Sequence, residues 1–411
     1  MLAKLREHPL ASANFRRFWL GQFITTFGNT FSGVALTWLL MELSDSTLSR
    51  GITFALSMLP NLLLAPIAGS IIDRFSRRRM LIISDIIRSA IDLLLVLVLL
   101  TRSVAVWHIY AFSFFHSLAR VFYNPCLIAF VPTLVPRQQL PQANSAQDLA
   151  MRIAMMVGPA AGGLAYAKLG AAAVIGIDAL TLLASAILLS TVRVQEHISP
   201  PDQRASMREQ LASGWAYVRQ NSWIIYQTSA MLLVNMSNIV FNIVWPLILK
   251  NQLFFGPEEH GLLDSVSSFA SIITAMLLTG FVLRFSKKQV LVLSLAGSGL
   301  FTLGLMYSRS LFMVVFFIAA IGITRPALAV SNTSIYQAAV PSEYMGRVAV
   351  FRSFITQSLV PIASLATGAF GDKVSYNTSL FIAGAMLLAS SLLVYFKVNV
   401  EEESETTVQA A

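Results

Sequence analysis

The sequence predicts an all-α membrane protein with twelve transmembrane helices arranged as two six-helix bundles, both termini being cytoplasmic. The chain has 411 residues, of which 56% are hydrophobic and only 12% are charged, whereas soluble domains carry about 25% charged residues. Apolar runs of about 20 residues, the length that crosses a bilayer, recur along the whole chain. The net charge of +9 does not indicate nucleic-acid binding, because the basic residues lie mostly in short loops, as in cytoplasmic loops of membrane proteins.

Twelve apolar segments are long enough to span a membrane. We predict them at 18–41, 49–72, 80–100, 104–127, 145–167, 171–192, 223–249, 260–283, 289–308, 311–332, 348–370 and 378–397. An even number of spans places both termini on one side, and a roughly threefold excess of Lys and Arg on that side places it in the cytoplasm. The first run is longer than the h-region of a signal peptide, about 7–15 residues, so we interpret it as the first span.

The longest connection between spans divides the chain into two halves. Pro200 and Pro201 interrupt its first part. From Met207 to Val218, apolar residues recur at helical spacing, which predicts an amphipathic helix at the membrane surface. We therefore expect an N-terminal bundle over 1–192, a linker over 193–222, a C-terminal bundle over 223–397 and an acidic tail over 398–411.

A basic loop after the second span returns in degraded form in the second half. Between Gly69 and Arg79 lie five charged residues: Asp73, Arg74, Arg77, Arg78 and Arg79. The segment from Gly280 to Lys288 repeats the glycine, the Arg-Phe-Ser and two basic residues, but it lacks the acidic residue. Such a loop could simply fix the topology. Its repetition favours a transporter built from two related bundles that rock around a central site.

Charged residues inside the third and fourth spans are candidates for proton coupling. Asp85, Arg88 and Asp92 are spaced by three and four residues, which places them on one helix face, where they can pair. A charge near the middle of a span costs about 2.5–3.5 kcal/mol on insertion scales. The three residues could form a structural triad, or Asp92 or Asp85 could exchange a proton under the control of Arg88. We expect Arg120, which does not release a proton, to be a movable counter-charge.

The fifth span combines an ion pair with small residues. Asp148 and Arg152 are spaced as an i, i+4 pair near the cytoplasmic face. The small residues and the proline that follow are Gly158, Pro159, Gly162 and Gly163. Glycines allow close helix packing and a proline bends a helix, so this span could seal one side of a cavity.

Polar and aromatic residues on other spans could line that cavity or could hydrogen-bond between helices. They are Gln22, Phe27 and Asn29 of the first span, Asp178 of the sixth, Asn235, Asn238 and Asn242 of the seventh, and Arg325 of the tenth. Both interpretations stay open, because one such hydrogen bond contributes only about 0.6 kcal/mol. The sequence contains neither HExxH nor GxSxG, and its five histidines are scattered, so we expect no enzymatic activity, metal site or cofactor.

Three of these motifs resemble signatures of the major facilitator superfamily. The segment from Gly69 to Arg78 is similar to the loop motif between the second and third helices of that family. Arg120 matches the arginine of its fourth-helix motif, although the glycine that usually follows is absent here. Gly158-Pro159 with Gly162-Gly163 resembles the fifth-helix motif of exporters that work as antiporters.

A finer resemblance is to the macrolide-efflux branch of the drug–proton antiporters, which also contains siderophore exporters. It rests on Ser84-Asp85-Ile86-Ile87-Arg88, Asn124-Pro125, Val131-Pro132-Thr133-Leu134-Val135-Pro136, Ala143-Asn144-Ser145 and Gly346-Arg347-Val348. The resemblance implies a monomeric exporter of the bacterial inner membrane that exchanges amphipathic small molecules for protons among membrane lipids. The proton gradient would supply the energy, without a cofactor.

The resemblance also implies a role for the basic loop and leaves other cargoes open. The family's loop motif latches the outward-facing state, so we expect Asp73 to contact Arg352 or the start of the eleventh helix. A siderophore, which is anionic, would favour Arg120 and Arg325 as cavity residues. A lipid exporter of the same fold and a membrane sensor that transports nothing are the remaining alternatives.

Overall fold

The computed structural model describes residues 9–72, 74–194, 207–281 and 286–398, and the regular structure within these ranges is helical. The first half comprises α1 (Ala13–Leu43), α2 (Thr47–Ile72), α3 (Arg77–Leu100), α4 (Val106–Arg120), α5 (Tyr123–Leu134) and α6 (Leu140–Ser190). Helix α7 (Met207–Gln220) precedes the second half. That half comprises α8 (Ser222–Asn251), α9 (Pro257–Phe281), α10 (Lys287–Gly304), α11 (Leu311–Ala339), α12 (Ser342–Ser358), α13 (Val360–Gly371) and α14 (Tyr376–Lys397).

Eight segments of the described residues are long and apolar enough to cross a membrane. One of them, Arg137–Ser190, is 54 residues long and bends at Gly170, whose φ of 77° is a conformation that glycine adopts readily and other residues avoid. Both arms of α6 run along α1, since Gly162 packs on Phe31 and Ser185 packs on Gly21. The chain therefore reverses at Gly170, between the fifth and sixth predicted spans.

Two predicted spans are divided in the structure. The fourth, predicted to end at 127, is split into α4 and α5, and α5 continues to Leu134. The eleventh, predicted to begin at 348, begins at Ser342 and divides at Leu359 between α12 and α13. In both cases a proline, Pro125 or Pro361, lies in the first turn of the helix that follows, where its missing N–H is tolerated.

Helix α7 packs against the second half rather than only lying at the membrane surface as predicted. The Tyr217 ring stacks on Tyr344 with centroids 4.4 Å apart, and Trp215 lies 5.6 Å from Phe351. Val218 is completely buried. Leu211, which the helical spacing places on the same face as Trp215 and Val218, has a side chain outside the described residues. Helix α7 is thus anchored on α12.

The two halves are joined at one end of the molecule. We call this the Asp45 end, and the opposite end, where Asn14, Arg78 and Ser190 lie, the Arg77 end. Among the described residues, every hydrogen bond and ion pair between the halves lies in the part nearer the Asp45 end. The halves pack chiefly through α6 against α9 and α2 against α13.

Candidate functional site

A cluster of charged side chains is buried inside the first half. Asp85, Arg88 and Asp92 of α3 are 0%, 0% and 1% exposed, and Asp178 of α6 is 3% exposed. These four residues, which we call the first-half cluster, contain three carboxyl groups and one guanidinium group. Charges so far from water are costly unless they are paired or protonated.

Arg88 links three helices within this cluster. Its guanidinium lies 3.5 Å from Asp85 Oδ1, donates to Asn29 Oδ1 of α1, and donates from Nε to His116 Nε2 of α4 at 3.3 Å. Arginine is only a donor, so His116 must accept through Nε2. Arg88 thereby holds α1, α3 and α4 in register.

Asp92 does not join this network, so the three α3 charges do not all pair with one another. Both of its carboxyl oxygens are buried and accept no hydrogen bond from the described residues. Its nearest polar partner is His116, with Nε2 3.8 Å from Oδ1. Helical side chains lean toward the N-terminus, so Arg88 reaches back to Asp85, one turn earlier, and away from Asp92.

Other sequence-predicted cavity residues hydrogen-bond between helices in and around the cluster. Asp178 accepts from Ser32 of α1, and Gln22 donates to Tyr123 at 2.8 Å. Phe27 stacks on Phe31 with centroids 5.7 Å apart. Gln22, Asn29 and Asp178 therefore hydrogen-bond between helices. Ser185 of α6 also donates to Asp85 at 2.8 Å.

Arg120 lies at the boundary of α4 and α5. It is the last residue of α4, and its side chain is exposed. Within the described ranges it forms no ion pair at or below 4.0 Å. The structure thus places a guanidinium without a carboxylate partner where the fourth predicted span is divided.

A cavity of about 350 Å³ lies between the halves. It is lined by Thr30, Thr37, Met155 and Pro159 of the first half and by Phe241, Asn242, Trp245, His260, Asp264, Ile318, Ile321 and Arg325 of the second half, among others. Of the predicted asparagine stripe, Asn242 lines the cavity, Asn238 is exposed, and Asn235 donates to the carbonyl of Thr356 at 3.4 Å. The cavity therefore combines an aromatic wall with three charged side chains, Asp264, Arg325 and Arg50.

Arg50 closes the cavity toward the Asp45 end. It donates to the carbonyls of Ile243 at 2.6 Å and Asn242 at 2.9 Å. Pro246 has no N–H, so the carbonyl of Asn242, four residues earlier, has no partner within α8. An arginine of the first half thus satisfies a carbonyl that a proline of the second half leaves free.

Three further contacts join the halves at the same end. Trp38 donates to His260 Nδ1 at 3.0 Å, and Lys250 forms an ion pair with Asp45 at 2.7 Å. Asp372 accepts from the backbone N–H of Thr47, the first residue of α2, at 2.7 Å and from the Ser46 hydroxyl at 2.6 Å. Asp372 therefore caps a helix of the opposite half.

The hydrogen bonds at Asp372 affect its ionisation. Burial alone would raise the pKa of Asp372, but hydrogen bonds from Ser46 and Thr47 outweigh burial and hold the pKa below its usual value. Asp372 therefore stays ionised at physiological pH.

The small residues of α6 face two partners. Gly158 and Gly162 pack against Thr30 and Phe31 of α1, whereas Gly163 packs against Pro257 of α9. On α9, Gly261 packs against the carbonyl of Pro159. An added Cβ at either interface would meet backbone or side-chain atoms, so this surface joins α6 both to α1 and to the opposite half.

The basic loop is only partly described. Asp73 lies outside the described residues, and Gly69 lies near the end of α2. Arg74 follows the loop's undescribed residue, and Arg77 begins α3. Arg78 donates to the carbonyls of Leu189, at 2.9 Å, and Ser190.

Two other arginines predicted from motifs have defined partners. Arg152 pairs with Asp148 at 2.7 Å, as the i, i+4 spacing predicted. The Arg352 guanidinium lies over the Tyr336 ring of α11. The predicted contact between Arg352 and Asp73 lies outside the described residues.

Sequence reasoning missed several residues that the geometry brings forward. They are His116, beside the first-half cluster; Asp264, in the cavity; and Trp38, Arg50, His260 and Asp372, at the Asp45 end. A carboxylate two turns into an apolar span and a proline within a span, the signals for Asp264 and for the partner of Arg50, are both visible in the sequence.

The whole chain resembles known transporters. Residues 7–410 match the family model described as transmembrane secretion effector. Macrolide efflux protein A of Streptococcus pyogenes is 24% identical over 385 residues, covering 92% of this chain and 94% of the relative. Multidrug efflux pump Tap of Mycolicibacterium fortuitum is 23% identical, covering 90% and 92%.

A solved structure shares the fold. A bacterial homologue of the iron transporter ferroportin in the inward-facing state superimposes with a TM-score of 0.77 over 94% of this chain and 98% of that chain, at 14% identity. At that identity the likeness concerns the fold alone. The family match over nearly the entire chain carries the assignment: this protein belongs to the transmembrane secretion effector family of the major facilitator superfamily.

Proposed function

We propose that the protein is a secondary active transporter that exports amphipathic small molecules in exchange for protons. Relatives named for macrolide and multidrug efflux support the direction and the kind of cargo. The proposal takes the chain as a monomer of twelve spans in the bacterial inner membrane, with bundles over 1–192 and 223–397 and both termini cytoplasmic. Membership of a transporter family supports transport without chemical change of the cargo.

The observation that carries proton exchange is the composition of the first-half cluster. Three buried carboxyl groups share one buried guanidinium, so at least one carboxyl group has no positive partner there. A buried, unpaired carboxylate is costly, and a bound proton removes its charge. Asp92 is our candidate proton carrier, because its oxygens accept no hydrogen bond from the described residues.

The other charged residues have supporting roles in this proposal. Arg88 and Asp85 form a fixed pair that positions the cluster. Arg120, exposed at the break between α4 and α5, is the counter-charge that approaches a carboxylate when the helices rearrange. This division couples proton loss to helix movement. When the helices move, Arg120 comes closer to a carboxylate, and the new ion pair favours the deprotonated form of that carboxylate.

The closed Asp45 end supports alternating access. With the termini in the cytoplasm, the Asp45 end faces outward, and we assign the structure to a state that is closed on that side. In the opposite state, we propose that Asp73, with Arg74, Arg77 and Arg78 beside it, contacts α12 near Arg352. If Asp73→Asn leaves spin-label distances at the Arg77 end and transport rates unchanged, this latch is wrong.

The test of proton exchange is transport in liposomes that contain a pH-sensitive dye. A proton gradient is imposed and a panel of cationic amphiphiles, macrolides and siderophores is added. We expect one class to drive proton movement in the wild type and in Asp148→Asn, which removes an exposed carboxylate outside the cluster. Asp92→Asn should abolish that movement, and a retained proton flux in Asp92→Asn would refute the role of Asp92.

A further inference from the structure

Three charged side chains line the cavity, and one of them, Arg50, is held by the carbonyls of Ile243 and Asn242. The other two are Asp264 of α9 and Arg325 of α11. The Asp264 side chain is 48% exposed, and Arg325 is also exposed. The two groups are therefore accessible to a molecule in the cavity.

Neither Asp264 nor Arg325 has a hydrogen-bonded partner among the described residues. Arg325 makes no hydrogen bond or ion pair with a described residue, and Asp264 meets only His260, with Oδ2 3.7 Å from Nε2. The two side chains form no ion pair with each other at or below 4.0 Å. Opposite charges that serve only stability would be expected to pair directly, because unpaired charges inside a membrane protein are costly.

The packing of α9 on α11 keeps the two charges apart. Gly322 of α11 packs directly on the backbone of Ser267 of α9, and the Gly322 carbonyl, freed by Pro326, accepts from Ser271 at 2.8 Å. Both helices begin at the Asp45 end and run in the same direction. Asp264 precedes this contact by one turn and Arg325 follows it by one turn, so the levels of their Cα atoms differ by about 9 Å along the helices.

The apolar part of the wall defines the rest of the ligand. Phe241, Trp245 and Ile318 line the same cavity. A ligand with a single charge would leave either Asp264 or Arg325 without a partner, whereas a ligand with both charges would satisfy both. The planar guanidinium of Arg325 suits a carboxylate, which it can hold by two parallel hydrogen bonds.

We infer that the cavity binds a zwitterionic amphiphile, whose ammonium group contacts Asp264, whose carboxylate contacts Arg325 and whose apolar body packs on Phe241 and Trp245. The difference in level of the two Cα atoms along the helices favours a dipeptide-like spacing over that of a single amino acid. The inference rests on the proposed transport function and specifies its substrate class.

The test compares four forms of one ligand by calorimetric titration of the purified full chain in detergent. The ligands are phenylalanyl-phenylalanine, its methyl ester, its N-acetyl derivative and the form blocked at both ends. The dipeptide should bind about 10- to 100-fold more tightly than either singly charged form, because each loses one charged hydrogen-bonded contact.

Variants assign each end of the ligand. Asp264→Asn should lower affinity for the dipeptide to that for the N-acetyl derivative, and Arg325→Gln should lower it to that for the methyl ester. Arg325→Lys, which keeps the charge but loses the planar fork, should lower dipeptide affinity less than Arg325→Gln. Unchanged affinity for the doubly blocked ligand, with an unchanged melting temperature, shows that the variants are folded.

Other outcomes overturn the inference. Tightest binding of the methyl ester would show a cation site, tightest binding of the N-acetyl derivative would show an anion site, and failure of all four forms to bind would exclude this ligand class. Binding is measured without a proton gradient, so a negative result here leaves proton antiport standing. Conversely, an absence of proton flux in liposomes would count against proton antiport but not against binding of the zwitterion.

Discussion

The two halves of the protein treat intramembrane charge in opposite ways. In the first half, Asp85, Arg88 and Asp92 are almost completely buried and contact only protein. In the second half, Asp264 and Arg325 face a cavity and form no ion pair with each other. Buried carboxyl groups can exchange only something as small as a proton, whereas exposed charges can bind a ligand. The difference supports a division of labour, with proton exchange in the first half and cargo recognition centred on the second.

The largest expected effect comes from removing the positive charge of the first-half cluster. Arg88→Gln should lower stability by about 3–5 kcal/mol, because it leaves buried carboxyl groups without their partner. Arg120→Gln, which changes an exposed arginine, should have a much smaller effect. Thermal unfolding in detergent measures both. An equal loss of stability in the two variants would contradict the expected difference between a buried and an exposed guanidinium.

A second prediction concerns the glycine contacts that close the Asp45 end. Gly163→Ala and Gly261→Ala each introduce a Cβ into backbone of the opposite half, so the population of the state closed at the Asp45 end should fall. Distances between spin labels at Leu48 and Lys373, measured with Cys126 replaced by serine, report this change. Gly176→Ala is the control, because only Val96 approaches that position, at 3.9 Å. A shift of the same size in Gly176→Ala would indicate a general effect of adding a methyl group.

A third prediction tests the contact between Arg50 and the carbonyl that Pro246 leaves free. Arg50→Gln should reduce the closed population, and the reduction should be smaller in a Pro246→Ala background, where α8 can satisfy the Asn242 carbonyl itself. The expected coupling is about 1.5–3 kcal/mol, the range of a hydrogen bond to a charged group, measured in a double-mutant cycle. Additive effects of the two substitutions, measured with the same spin labels, would contradict this account.

The smallest effect is expected at Asp372, and it should not depend on pH in the physiological range. The lowered pKa means that Asp372 stabilises closure fully above its ordinary pKa of about 3.9 and loses this contribution only as the pH falls through the still lower folded value. Asp372→Asn should therefore reduce the closed population slightly and equally at pH 5 and pH 8. A reduction that changes between these values would show that another titrating group is linked to Asp372.

The helices were predictable because apolar length is a local property. The charged face of α3 followed from spacing alone, and the reversal at Gly170 fell where two predicted spans meet. Contacts between distant segments were not predictable. Spacing placed Asp92 beside Arg88. That Arg88 instead bonds to Asn29 and His116 depends on the positions of α1 and α4. Likewise, nothing near Arg50 in the sequence indicates that its partner is the carbonyl of Asn242, on a helix of the other half.

The cavity illustrates the same limit. Arg325 was a candidate as a basic cavity residue that would suit an anionic cargo, and Asn242 was a candidate as part of an asparagine stripe. Asp264 was missed although it lies two turns into its helix, because a single carboxylate in the sequence does not show what it faces. Its importance comes from facing the same cavity as Arg325, which depends on the parallel packing of α9 and α11. A sequence can therefore nominate charged residues one by one, but the structure decides which of them face each other.

The central claim is that the proton and the cargo use separate sites in the two halves. Proton release on ligand binding, measured by calorimetry in two buffers that differ in ionisation enthalpy, tests it most directly. With phenylalanyl-phenylalanine as ligand, the account predicts that the wild type releases protons as it binds and that Asp264→Asn loses affinity. Asp92→Asn, which is fixed in the neutral form, should release none and bind more weakly. Proton release from Asp92→Asn equal to that of the wild type would contradict it.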